Sequence, residues 1–193
     1  MVLLIQYTII FASVLCLVAL GGCFSEHSGV INLGLEGIMV MGALGGAVTM
    51  FMLPSGTSKI VIVLATTIAA ILIGMIYSCL LAVASINFNA DQTLIGTAMN
   101  LLATAAATVF VRAMNTAVNP DNVSSTIQYI QEKKAFLKYL GKFEFNWFML
   151  MAVVLLVLSY FILYKTKFGL RLQACGENPQ AADSVGINVY KMR

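Results

Sequence analysis

An all-α polytopic transmembrane bundle is the fold class this sequence predicts, on three observations. Hydrophobic residues make up 60% of the 193 positions and charged residues only 10%, with a mean hydropathy of +0.92. A soluble domain carries about 25% charged residues to cover its surface, and a chain this apolar does not stay solvated as a disordered coil. The charges are also confined. None occurs before Glu26, between Lys59 and Asp91, between Asp91 and Arg112, or between Glu144 and Lys165. Each gap holds a run near the ~20 residues a helix needs to cross a bilayer.

Five spans follow in order. The first is Val2 to Cys23, and the second is Ile31 to Leu53, closed by the turn signal Pro54-Ser55-Gly56. The third is Ile60 to Ile86 and the fourth Thr93 to Val111. The fifth, Asn146 to Tyr164, opens on Trp147, an aromatic suited to the membrane interface. Leu20-Gly21-Gly22-Cys23 faintly resembles a lipoprotein cleavage site, but no basic residue precedes it, so it reads as a small-residue helix end. Cys16, Cys23, Cys79 and Cys175 form no CxxC pair and read as free thiols.

Between the fourth and fifth spans, Arg112 to Lys142 is polar, with a loop signal at Asn119-Pro120-Asp121-Asn122 and a short amphipathic helix expected over Val123 to Leu140. A second polar segment runs from Lys165 to Arg193. The two lie on opposite sides of one span, and each carries five basic residues, so the positive-inside rule ties. Lys165, Lys167 and Arg171 crowd a membrane edge and tip the balance toward a cytoplasmic tail. The net charge of +3 is spread over loops and gives no support for nucleic-acid binding.

Polar residues within the apolar runs are the candidates for function. In the second span Gly42 and Gly46 have the GxxxG spacing of a helix-packing face. Asn32 and Glu36 are four apart, which a helix places on one face. An intramembrane acid costs roughly 3 kcal/mol at the bilayer centre, so Glu36 lies near an interface or against a partner within the protein, either with a functional role or tying down backbone amides at a helix break. Asp91 is placed to cap the fourth span. Thr97, Asn100, Thr104 and Thr108 recur at helical spacing as an uncharged polar stripe, which in lipid faces other helices or water. Such a lining suits neutral, hydroxyl-bearing solutes, and interhelical hydrogen bonding is its structural alternative. His27, in a loop without metal-type companions, reads as structural, and neither a metal nor a cofactor is expected. Near the end, Asn178 caps a helix of 179–185, Pro179 fits its first position and Gly186 its left-handed terminus. That helix is too short and polar to span and should lie on the membrane face.

Three blocks carry a resemblance to a known family. They are Gly21 to Gly37 (GGCFSEHSGVINLGLEG), Asn89 to Ala103 (NADQTLIGTAMNLLA) and Gly176 to Val189 (GENPQAADSVGINV). In this order they resemble the permease subunit of bacterial ABC importers of the branched-chain amino acid, ribose and nucleoside superfamily, nearest its nucleoside or simple-sugar branch. The third block is similar to the importers' coupling loop, Glu-Ala-Ala, three residues, Gly. Gln180 stands in place of the Glu, while Ala181, Ala182 and Gly186 keep the spacing. The resemblance implies a single permease domain over 1–193, with 112–145 an external loop and 165–193 a cytoplasmic coupling segment, in a bacterial plasma membrane. It implies a substrate pathway drawing on Asn32, Glu36, Asn89, Thr97, Asn100 and Thr104. It also implies ATPase coupling through Asn178, Pro179, Gln180, Ala181, Ala182, Asp183 and Gly186. The implied partners are an ABC ATPase subunit, a second permease subunit and an extracytoplasmic substrate-binding lipoprotein. Family members are longer, with further spans after the coupling loop, so the chain is expected to be a partial one.

The absence of a GxxxxGK[ST] phosphate loop assigns ATP hydrolysis to a partner, and the chain is expected to perform no covalent chemistry. A secondary transporter is one alternative, disfavoured because only Glu36 is titratable within a span. A non-transporting membrane scaffold is the other, disfavoured by the polar stripe and the docking segment.

Overall fold

The structure, a computed structural model, describes residues 2–54, 56–88, 90–127, 137–140 and 143–192. Its elements are α1 (Val2–His27), α2 (Leu35–Met52), α3 (Lys59–Ala82) with a π-helical end over Val83–Asn87, α4 (Gln92–Val118), β1 (Leu137–Leu140), β2 (Phe143–Asn146), α5 (Trp147–Lys165), α6 (Lys167–Glu177), α7 (Pro179–Ser184) and α8 (Val189–Met192). Among the described residues, five helices are long and apolar enough to cross a membrane: Leu3–His27, Leu35–Met52, Lys59–Asn87, Gln92–Val118 and Trp147–Lys165. The fold is an all-α polytopic bundle carrying one small hairpin.

Four local expectations change. α1 continues through Leu20–Cys23 to His27, so His27 is helical rather than in a loop. The helix stops where Gly29 takes φ +80°, with Ser25 Oγ closing onto the Val30 carbonyl at 2.6 Å. The second span becomes helical only at Leu35, so Asn32 precedes it and shares no helix face with Glu36. The expected helix over 123–140 is absent where the chain is described. Residues 123–127 are irregular, and Leu137–Leu140 pairs antiparallel with Phe143–Asn146, Leu137 opposite Asn146 and Leu140 opposite Phe143. The alternation Phe143, Glu144, Phe145 is a strand signal that outweighs helical periodicity. Lastly, α6 folds as a helix from sequence that composition alone marked only as polar.

The chain sorts into two compact units. One comprises Leu33–Ala84 and Leu94–Phe136. Here the glycine face of α2 packs on α3, as the GxxxG spacing predicts. A Cβ on Gly42 would lie 3.2 Å from the Ala70 carbonyl oxygen, and one on Gly45 2.6 Å from Ile73 Cδ1. Small residues let the backbones approach where lipid offers no hydrophobic drive for helix association. At the far end of α4, Asn115 is buried and its Nδ2 donates to the Ser124 and Thr126 carbonyls, both at 2.9 Å, which holds the loop against the helix.

The other unit comprises Met1–Asn32, Ser85–Thr93 and Leu137–Arg193. α1 packs against α5 and α6. Asn146 caps α5, its Oδ1 accepting from Phe148 N–H at 3.1 Å. Thr166 then serves two helices at once. Its hydroxyl donates to the Ile162 carbonyl at 2.5 Å and accepts from Gly169 N–H at 3.2 Å. Gly169 is seated on the Ile162 and Leu163 carbonyls, where any Cβ would overlap them. Gln173 Nε2 adds a bond to the Leu163 carbonyl at 3.0 Å. Gly169, Leu172 and Cys175 form the buried stripe of α6, and Gly176 abuts the His27 carbonyl. The four cysteines are free thiols.

Candidate functional site

In the first-described unit, α2, α3 and α4 meet around the start of α2. A helix begins with unsatisfied N–H groups, which a side chain at the capping position normally accepts. The capping residue of α2 is Gly34, which has no side chain to offer. The bond comes instead from α4, where Asn100 Oδ1 accepts from Gly37 N–H at 2.7 Å. The same amide donates through Nδ2 to the Leu33 carbonyl at 2.9 Å. One side chain therefore holds both sides of the helix entry.

Close packing makes those bonds possible. A Cβ on Gly96 would lie 2.7 Å from Leu33 Cβ, and one on Gly37 2.9 Å from the Met99 carbonyl oxygen. From α3, the buried Tyr77 donates its hydroxyl to that same Met99 carbonyl at 2.6 Å. Gly37, Gly96 and Tyr77 complete this helix junction, a packing role that sequence reasoning passed over. A Tyr and isolated glycines inside apolar runs were the available signals.

The stripe on α4 divides by what its members do. Thr97, Thr104 and Thr108 turn their hydroxyls back onto the carbonyls of Leu94, Asn100 and Thr104 at 3.0, 2.9 and 2.6 Å. Thr97 and Thr104 remain exposed, whereas the Asn100 amide is committed at both ends. Glu36 is exposed in the first turn of α2, where the helix dipole favours an acid. It does not tie down the helix break, because Asn100 does. Asn32 is half-buried and lies in the other unit, and Asn89 lies outside the described residues.

In that other unit, Asp91 Oδ1 accepts from Thr93 N–H at 2.8 Å at the start of α4, the cap its position predicts. Gln92 Oε1 accepts from Ile31 N–H at 2.7 Å. The terminal segment folds as expected. Asn178 Oδ1 accepts from Ala181 N–H at 3.1 Å, Pro179 is the first helical residue and Gly186 has φ +83°. α7 turns Ala182 inward, only 3% exposed, while Gln180, Ala181 and Asp183 face out and Val185 is 74% exposed. A cleft of about 320 Å³ borders α7, lined among others by Gln180, Asp183, Ser85, Gln92 and Tyr190. His27 Nε2 and the Tyr164 hydroxyl are 3.5 Å apart with their rings edge to face, a packing role. Among the described residues no cluster of His, Cys, Asp or Glu is placed to hold a metal.

Residues 4–193 match the family described as the branched-chain amino acid transport system / permease component. The chain belongs to this permease family. It is 38% identical over 197 residues to the guanosine ABC transporter permease protein NupQ of Bacillus subtilis, covering 99% of this chain and 61% of that protein. It is 37% identical to the nucleoside ABC transporter permease protein NupC of Lactococcus lactis, covering 99% and 61% respectively. A putative glucose ABC transporter permease protein, TsgC13 of Haloferax volcanii, is 31% identical, covering 98% and 56%. No solved structure matches the chain. The permease chain thus spans about three-fifths of the length of these curated relatives. Family membership and the five apolar helices make it a multi-pass membrane protein.

Proposed function

We propose that this permease chain forms part of the translocation path of an ABC importer for nucleoside-like or simple-sugar solutes, in a bacterial plasma membrane. The observation that carries the reading is the uncharged polar line on α4. Thr97 and Thr104 stand exposed on α4, with Glu36 exposed at the start of α2 in the same unit. Polar groups on a membrane span face other helices or a wet route, and exposure of Thr97 and Thr104 favours the route. Hydroxyls and an acid suit polyols rather than anions. The names of the nucleoside and glucose permease relatives support that solute class.

In this reading Asn32, Asn89 and Asn100 border the route rather than contribute its main contacts. ATP hydrolysis belongs to a separate ATPase subunit, and a second permease subunit and an extracytoplasmic binding lipoprotein complete the importer. Residues 165–193 lie in the cytoplasm, with Asn178, Pro179 and Gly186 shaping α7 so that Gln180, Ala181 and Asp183 meet the ATPase. Residues 112–145 lie outside.

Two measurements test this. In a cysteine-free background, Asp121→Cys should react with an impermeant thiol reagent in intact cells and Gln180→Cys should not, the opposite pattern refuting the orientation. In the assembled transporter, Thr97→Leu with Thr104→Leu should reduce uptake of a nucleoside or pentose without reducing membrane insertion. Unchanged uptake would return the stripe to packing.

A further inference from the structure

The start of α2 carries a carboxylate that its neighbouring helices do not neutralise. α2, α3 and α4 contain only two basic residues, Lys59 and Arg112. Lys59 opens α3 at the end remote from Glu36. Gly74 of α3 lies against Ile38 and the Thr66 carbonyl against Gly46, so the two helices are antiparallel. Arg112 is twelve residues beyond Asn100, about 18 Å along α4 at 1.5 Å per residue. A carboxylate accepts hydrogen bonds and donates none. Its two oxygens match a pair of adjacent hydroxyls, and bonds to an ionised acceptor are about twice as strong as neutral ones.

The placement of that carboxylate depends on Asn100. Glu36 lies between Leu33 and Gly37, the two residues the amide grips. Gly34 at the capping position offers no side-chain substitute. Without the amide, Gly37 N–H loses its acceptor and the entry to α2 is free to fray, carrying Glu36 with it. We propose that Asn100 is a positioning residue, holding the Glu36 carboxylate where it accepts from the vicinal hydroxyls of a ribose-like solute. This deepens the solute reading above and rests on it. Asn100 acts through Glu36 and does not itself touch the solute.

The test uses the assembled transporter in proteoliposomes with saturating binding protein. Maximal uptake is compared for a ribonucleoside and its 2′,3′-dideoxy analogue, which lacks the diol. The unaltered transporter should favour the ribonucleoside. Glu36→Ala, at an exposed position, should cut ribonucleoside uptake by about tenfold or more while leaving dideoxy uptake within about twofold. Asn100→Leu should do the same with Glu36 intact. The double variant should lose no more than either single, since the two residues act as one device. Asn100→Asp keeps an acceptor for Gly37 but sets an oxygen against the Leu33 carbonyl, and should fall between. Because Glu36→Ala leaves the junction's bonds untouched, it remains decisive even if Asn100→Leu fails to fold. Equal losses for both solutes, or additive losses in the double variant, would overturn the proposal alone. An unaltered transporter that takes up neither ribonucleosides nor pentoses would overturn the solute reading and this proposal together.

Discussion

The start of α2 and the segment from Thr166 to Gly186 solve the same problem with different materials. Both must satisfy exposed backbone groups where a helix begins beside a bend. The terminal segment does so locally, since Thr166 caps from three residues away and Asn178 likewise. The α2 entry borrows its cap from a helix 63 residues downstream, with a second bond across 67. A locally capped helix can form before its neighbours pack. A remotely capped first turn is complete only once its partner helix has packed, so the geometry of the α2 entry is tied to α4. The difference predicts where substitutions spread their damage.

The largest effect is expected at Gly96. A Val there adds atoms where even Cβ would lie 2.7 Å from Leu33 Cβ and 2.9 Å from Gly34 N. Backbone must move, and overpacking of this kind costs about 1–3 kcal/mol before the loss of the Asn100 bonds is added. Gly96→Val should lower the melting temperature in detergent more than any single cap deletion. A melt unchanged from the parent would mean the helix entry tolerates α4 at a distance.

The next effect separates folding from docking on α7. Ala182→Arg forces a charged chain into a site only 3% exposed, so it should loosen the terminal segment, read as faster proteolysis after Lys165. Ala181→Arg projects outward and should leave proteolysis unchanged while weakening association with the ATPase in pull-down. If Ala181→Arg retains full association, the outward face of α7 is not a contact surface. The smallest effect is expected from Asn178→Ala, which removes one local cap worth about 1 kcal/mol. It should raise proteolysis of this segment slightly and leave solute selectivity untouched. A change in selectivity would break the contrast between the two regions.

The same contrast explains what could be read from the sequence. The five spans follow from charge-free runs, and α7 follows from Asn178, Pro179 and Gly186 because a cap and its target sit within a few residues. Asp91 was legible for the same reason. The role of Asn100 was not, since periodicity places it on a polar stripe with Thr97 and Thr104 and says nothing of Gly37 on another helix. The Asn32–Glu36 pairing failed because helical spacing was applied across Gly34, where the chain is still turning. α6 was missed because its buried stripe of Gly169, Leu172 and Cys175 is mostly small residues, which carry little hydrophobic signal.

The elbow between α5 and α6 has a mechanical consequence. Gly169 rests directly on the Ile162 and Leu163 carbonyls, Thr166 is bonded in both directions and Gln173 is pinned to Leu163. A joint of this kind has little compliance. In the coupling role proposed for α7, a push there would be carried into the axis of α5 rather than absorbed as bending at the elbow, as torque passes through a keyed shaft. Replacing Gly169 would wedge the two arms apart, because a Cβ there overlaps the Ile162 and Leu163 carbonyls and the backbone must shift.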